Sequence, residues 1–300
     1  MKFTSFFFII IFMIYVVMGP TCSGKTELAN YLIDKHNCDA INFDAFQIYK
    51  DMNIGTAKLE HDDPHYSRYH LLDIVSPEQS FSVMEYQTLA RKELDELLKK
   101  DKDVVFVGGT GLYIRATLYD YAFEKEDNVY DEDLDLLNNE QLFDMLNELD
   151  PKACEKIHVN NRKRLLRAIS LIRHSNKKKS DIINEQKHEL IYKNVKFIFI
   201  SPDREQLYKN IDDRVIKMME FGLVEEVKNL LNKYDLSLTA KQGIGYKEVI
   251  QYLDKEITYE ECVSLIQKRT RNYAKRQVTF FKNQFKYELY TSIEDAKKHL

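Results

Sequence analysis

The chain has 300 residues, 44% hydrophobic and 31% charged, which is enough to bury a core in one large domain or two ordinary ones. Its formal net charge of −4 excludes an overall basic field, so any nucleic-acid partner must be held by local patches. Cys22, Cys38, Cys154 and Cys262 are far apart with no Cys-x-x-Cys pair, which argues against a disulfide framework or a cysteine zinc site and fits a reducing cytoplasm.

Phe6 to Met18 is a continuous apolar run. It is shorter than the ~20 residues that a membrane helix needs, so no membrane attachment is expected. Lys2 and the run together resemble a signal-peptide core, but no small-residue cleavage site follows. The run is read as a lead into the first strand, with a targeting segment as the alternative. Directly after it stands Gly19-Pro20-Thr21-Cys22-Ser23-Gly24-Lys25-Thr26, the pattern of a phosphate-cradling loop between a strand and a helix. Glycines let backbone N–H groups crowd around phosphate oxygens, Lys25 brings positive charge, and the Thr26 hydroxyl can hold Mg²⁺. The following helix adds its positive N-terminal end.

Ala40 to Phe43 reads as a short strand ending at Asp44. Asp51 to Lys58 reads as a loop, and Tyr69 to Val75 as a further strand stopped by Ser76-Pro77. Phe81 to Lys100 has apolar residues at helical spacing. Val104 to Val107 is a buried strand broken by Gly108-Gly109-Thr110-Gly111, and Leu112 to Leu118 begins another helix. Strand and helix alternate, which predicts an α/β fold with a parallel sheet core of the kind that carries phosphate loops. Ligands gather at the carboxyl ends of such strands. The phosphate loop, Asp44 and the second glycine turn all meet that description. Val104–Val107 does not end in the metal-holding aspartate of nucleotide hydrolases, leaving Asp44 and Asp73 as strand-end carboxylates. Asp44 can serve a metal, move a proton or cap the next helix, and the sequence alone does not separate these.

Beyond Tyr119 the character changes. Glu124 to Asp135 is acidic and reads as loop; Asn138 to Leu149 and Pro151 to Ile157 read as helices, and Arg162 to Arg167 opens a basic helix before the Lys177-Lys178-Lys179 loop. Val195 to Ile200 returns to the sheet. The last hundred residues read as mainly helical. They include Gln206–Phe221 with Arg214, Leu223–Leu231, a flexible basic turn at Gln242–Lys247, and a basic helix at Gln267–Phe281. The expected organisation is a core at 1–120 and 190–300 interrupted by a helical insertion at 121–189. Two basic helices flanking a phosphate site favour RNA or DNA contact over a merely solvated face.

These segments, in this order, resemble the tRNA dimethylallyltransferase family. The matching stretches are Gly19–Thr26, Asp44–Tyr49 with Gly55–Lys58, Gly108–Tyr113, Ile157–Arg162 with Leu166–Ala168, Gly222–Glu226, Ile244–Glu248 and Arg271–Gln277. The resemblance implies transfer of a dimethylallyl group from its diphosphate to N6 of the adenosine 3′ to the anticodon, with Mg²⁺ as cofactor and a cytoplasmic monomer as the working form. It makes Asp44 the general base, Thr110 a contact to donor or target base, and Arg214 a diphosphate ligand. The phosphate loop then holds a leaving diphosphate. For tRNA it implies Asp44, Ala45, Phe46 and Gln47; Lys163, Arg164, Leu165, Leu166 and Arg167; Gln242, Gly243, Ile244, Gly245, Tyr246 and Lys247; and Arg271, Lys275 and Arg276. Ala45, Cys22 and Phe280 stand where the family usually has Ser, Ala and Trp.

Overall fold

Ile14–Met18 forms β1, with every residue buried. The structure is a computed structural model that describes residues 12–123, 131–175, 178, 180–181 and 188–300; Phe6 to Ile11, Glu124 to Tyr130, Lys177 and Lys179 lie outside them. The sheet runs β3-β2-β4-β1-β5-β6 with every pair parallel. Its other strands are β2 (Asp39–Asn42), β3 (Tyr69–His70), β4 (Val104–Gly108), β5 (Val195–Ile200) and β6 (Glu288–Tyr290). β1 pairs with β4 on one side and β5 on the other, so that Met18 stands opposite Gly108 and Phe199. Strands covered on both faces read as unbroken apolar runs, which is why β1 and β4 show no alternation.

The helices of the core are α1 (Lys25–His36), α2 (Val83–Leu98) and α3 (Gly111–Leu118). The insertion contributes α4 (Glu132–Asp135), α5 (Asn139–Leu149), α6 (Pro151–Cys154) and α7 (Arg162–Ser175). The last part holds α8 (Arg204–Glu220), α9 (Leu223–Lys233), α10 (Leu238–Lys241), α11 (Tyr246–Leu253), α12 (Tyr259–Gln284) and α13 (Ile293–His299). The described residues of Met1–Leu118 and Tyr192–Leu300 make one compact unit, and those of Tyr119–Ile191 a second. In the first unit, Leu28, Leu32 and Ile33 of α1 pack on one sheet face beside Ala296 of α13. A separate apolar cluster joins Val215 and Met218 of α8, Val227 of α9, Val249 of α11 and Ile266 of α12 to Ile48 and Tyr49. The second unit has its own core of Leu142, Leu146, Leu165 and Ile169.

Several expectations need correction. The strand expected over Tyr69–Val75 stops at His70, because Leu71 (φ 62) and Asp73 (φ 53) turn left-handed. Asp73 therefore ends no strand; it is an ion-pair partner of Lys58 and accepts from the Tyr66 hydroxyl at 2.7 Å. The C-terminal part adds β6, a strand too short to show periodicity. Within the acidic segment Glu132–Asp135 is a helical turn. Gln242–Lys247 is a braced junction between α10 and α11, in which Gly245 N–H donates to Glu248 at 2.7 Å and Gly243, Gly245 and Tyr246 are buried.

Candidate active site

The phosphate loop links β1 to α1 at the carboxyl edge of the sheet. Gly19 is required by space: a Cβ there would come 2.5 Å from the Ile200 carbonyl oxygen and 2.6 Å from Ser23 Oγ. Gly24, at φ 85, begins α1 without a side-chain cap, so the first helical N–H groups are left for an anion. Lys25 Nζ donates to the Pro20 carbonyl at 2.7 Å. Loss of water around its ammonium pushes the Lys25 pKa down to about 8, against the pull of Asp44 and with a smaller push from Arg214. Ser23 Oγ is buried with no hydrogen-bond partner among the described residues. An orphaned hydroxyl inside an uncapped, lysine-bearing loop fits an incoming phosphate oxygen.

Arg214 reaches this loop from α8. Its Nη1 donates to Thr21 Oγ1 at 3.2 Å and its Nη2 to the Thr56 carbonyl at 3.3 Å. Asp44, just past β2, lines the same cavity as Arg214. Its Oδ1 accepts from Phe46 N–H at 3.0 Å, and its own N–H donates to the buried Asn42 at 3.1 Å. One carboxylate oxygen thus shapes its own turn. Among the described residues the other, Oδ2, takes no hydrogen bond.

The second glycine turn is set by close approach to three neighbours. A Cβ on Gly108 would meet the Phe43 carbonyl at 2.6–2.7 Å, one on Gly109 would collide with Gln277 Nε2, and one on Gly111 would collide with the Phe280 ring. Thr110 Oγ1 accepts from Ala45 N–H at 3.0 Å. Its hydroxyl also bonds with Tyr273, so Thr110 fixes the Asp44 turn and ties it to α12. A Gly109→Ala substitution is expected to push Gln277 aside and cost about 1–3 kcal/mol of stability, read as a lower Tm and reduced turnover together.

Gln277, buried on α12, joins the two turns. Its Oε1 accepts from Thr21 N–H at 2.9 Å while its Nε2 donates to the Gly109 carbonyl at 2.9 Å. Tyr273, one turn earlier on the helix, lines the same cavity. Burial pushes its hydroxyl pKa well up and the Asp44 charge adds to this, while hydrogen bonds with Thr110 and Gln277 oppose it. The cavity holds about 500 Å³ and is lined by Lys25, Thr26, Asp44 and Arg214 on its polar side and by Ile211, Val215, Met218 and Ile266 on its apolar side. It offers anion-binding groups, one carboxylate and apolar side chains in one lining.

The expected RNA contacts divide. Lys163, Arg164 and Arg167 are exposed on α7, whereas Leu165 is fully buried in the core of the second unit and Leu166 packs against that core. The RNA contact expected of these two leucines is corrected accordingly: a helix has one apolar face, and they occupy it. Tyr246 is 1% exposed, with its hydroxyl on Glu226, and the residue lines the cavity. Ala45, Phe46 and Gln47 are part-buried, and Phe46 packs against the second apolar cluster. Gln242, Ile244 and Gly245 line the cavity, while a Cβ on Gly243 would lie 3.0 Å from both Phe46 and Tyr246. Lys247 Nζ donates to Gln242 at 3.3 Å. Lys275 is exposed, Arg276 lies 5.6 Å over the Tyr273 ring, and Arg271 is ion-paired with Asp212. Sequence reasoning gives Gln277 and Glu226 no role. Both lie in matching segments, but a glutamine on a basic helix and a glutamate in a first turn read as solvent-facing.

A model of the family described as IPP transferase matches residues 47–284. A tRNA dimethylallyltransferase of Anoxybacillus flavithermus is 39% identical over 285 residues, covering 94% of this chain and 91% of its own. One of Bacillus anthracis is 40% identical over 274 residues, covering 89% and 87%. The solved tRNA delta(2)-isopentenylpyrophosphate transferase of Staphylococcus epidermidis superposes with a TM-score of 0.71 at 34% identity, covering 96% of this chain and 97% of its own. A eukaryotic dimethylallyltransferase solved acting on tRNA gives 0.82 at 26% identity, covering 96% and 77%.

Proposed function

The chain belongs to the IPP transferase family, and on that premise we propose that it transfers a dimethylallyl group from dimethylallyl diphosphate to N6 of the adenosine 3′-adjacent to the anticodon of tRNA. The observation that carries this is one cavity lined by the phosphate loop, Arg214 and Asp44 together. The adenine N6 lone pair forms a bond to C1 of the donor as the C1–O bond breaks. The electron pair leaves with the diphosphate, and the N6 proton passes to Asp44. An exocyclic amine is a weak nucleophile and needs a base within hydrogen-bond reach. Lys25, Arg214 and the N–H groups of the loop stabilise the charge that develops on the diphosphate. The apolar wall of Ile211, Val215, Met218 and Ile266 suits the five-carbon group and excludes water.

A divalent cation fits the same lining. The Thr26 hydroxyl, exposed to the cavity, would hold Mg²⁺ together with diphosphate oxygens, and the ion would neutralise part of the leaving group's charge. The target base must leave its stack to enter the cavity. Gln47, with its Nε2 tied to the Thr56 and Ala57 carbonyls at 3.2 and 3.3 Å, presents its carbonyl oxygen toward neighbouring bases. Lys163, Arg164 and Arg167 of the helical unit, with Lys247, Lys275 and Arg276, would hold the RNA backbone. No described helix is long and apolar enough to cross a membrane. A monomer acting on the cytoplasmic tRNA pool completes the reading.

Incubation with unmodified tRNA, Mg²⁺ and radiolabelled dimethylallyl diphosphate tests it: label should enter the RNA. ATP consumption without label in RNA would instead mark a kinase. Arg164→Ala is expected to weaken tRNA binding and reduce its salt slope by about one unit, measured by titration at several salt concentrations. Arg271→Ala should also weaken binding, because it leaves the Asp212 carboxylate without its partner.

A further inference from the structure

Glu226 sits in the first turn of α9, where a carboxylate ordinarily serves only the helix dipole. Its neighbour Glu225 does face outward, ion-paired with Lys228 at 2.6 Å. Glu226 does something different. Its Oε2 accepts from Asn53 N–H at 3.1 Å and Ile54 N–H at 2.7 Å. Its Oε1 accepts from Gly55 N–H at 3.1 Å and from the buried Tyr246 hydroxyl at 2.6 Å. Four donors converge on one carboxylate, which fills its lone-pair sites. Gly55 is packed so closely on Tyr246 that a Cβ would lie 2.5 Å from the ring.

The segment so held continues into Thr56, whose carbonyl accepts both Arg214 Nη2 at 3.3 Å and Gln47 Nε2 at 3.2 Å. At its far end Lys58 is buried and bonded to the Tyr49 carbonyl and Asp73. The segment is therefore clamped at both ends, and the carbonyl between the clamps orients the guanidinium together with Thr21 Oγ1 and Cys22 Sγ. We propose that Glu226 is a positioning residue for the donor diphosphate: by fixing the backbone of Asn53–Gly55 it sets the Thr56 carbonyl that aims Arg214 at the anion. This deepens the transferase reading and rests on it.

Glu226→Gln is the informative substitution. A glutamine keeps one acceptor oxygen but turns an N–H₂ group toward backbone or hydroxyl donors, so half the anchors are lost without loss of volume. Pyrophosphate binding in the presence of Mg²⁺, measured by calorimetry, should weaken about tenfold. Stoichiometry should stay at the wild-type value, because partial unfolding would lower stoichiometry and leave the affinity of the folded fraction unchanged. In an Arg214→Ala background the same change should cost less than about twofold, since Glu226 acts through that arginine. Tyr246→Phe, a milder change that removes one of the four donors, should weaken pyrophosphate about two- to threefold alone and not at all beside Arg214→Ala. Wild-type affinity in Glu226→Gln, or a penalty that multiplies in full with that of Arg214→Ala, overturns the positioning role. Wild-type protein that binds no pyrophosphate and labels no tRNA overturns the transferase reading itself, and this role with it.

Discussion

Asp44→Asn is expected to lower turnover by about 10²-fold or more while leaving the affinities for tRNA and donor close to wild type. Asparagine keeps an oxygen for the Phe46 N–H that Asp44 Oδ1 now accepts, so the turn and the neighbouring Ala45–Thr110 bond survive the change. What is lost is the basic oxygen that takes the N6 proton. The diphosphate wall, built from Lys25, Arg214 and the loop, is untouched, so donor binding should persist. Single-turnover measurements with saturating tRNA separate the two quantities. Turnover equal to wild type would remove Asp44 from proton transfer and leave it only the turn.

Lys25→Ala is expected to weaken donor binding between about tenfold and 10²-fold, the range for one charge-assisted hydrogen bond to an anion. Lys25 folds back on the Pro20 carbonyl, so it must swing to the phosphate when donor enters. With its pKa pushed down to about 8 in the ligand-free protein, pH offers a second handle. Bound diphosphate favours the ammonium and raises that pKa, so binding takes up a proton wherever free Lys25 is neutral. Donor affinity should therefore change little between about pH 7 and 8, above the second phosphate pKa of about 6, and fall as pH rises through 8, by up to about tenfold per unit. Lys25→Ala should abolish this fall. Equal donor affinities for the two proteins at about pH 7, where free Lys25 is mostly charged, would remove Lys25 from the donor site.

The central strands, the phosphate loop and the second glycine turn were legible because each is local. An apolar run of strand length beside a glycine-rich turn has few other readings, and each was followed by a segment that reads as a helix. Asp44 was legible as a strand-end carboxylate open to a cap role, but only the structure shows that it closes a turn on Phe46 N–H and caps no described helix. The short β3 was over-read because Tyr69–Val75 is apolar enough for a strand, while the left-handed residues Leu71 and Asp73 carry no signal in their residue types. Leu165 and Leu166 entered the RNA-facing set through the charges beside them, although the helix period turns them inward.

By itself the sequence determined the parallel α/β core, a diphosphate-type loop at its carboxyl edge and, through its ordered motifs, the family. Those are consequences of residue spacing, which acts within a turn or a strand. Only the tertiary structure decided that Gln277 ties Thr21 to Gly109 and that Glu226 clamps the segment aiming Arg214. These bonds join residues between 168 and 256 positions apart, and a polar side chain's partner across such a distance depends on where the packed helices α9 and α12 place it.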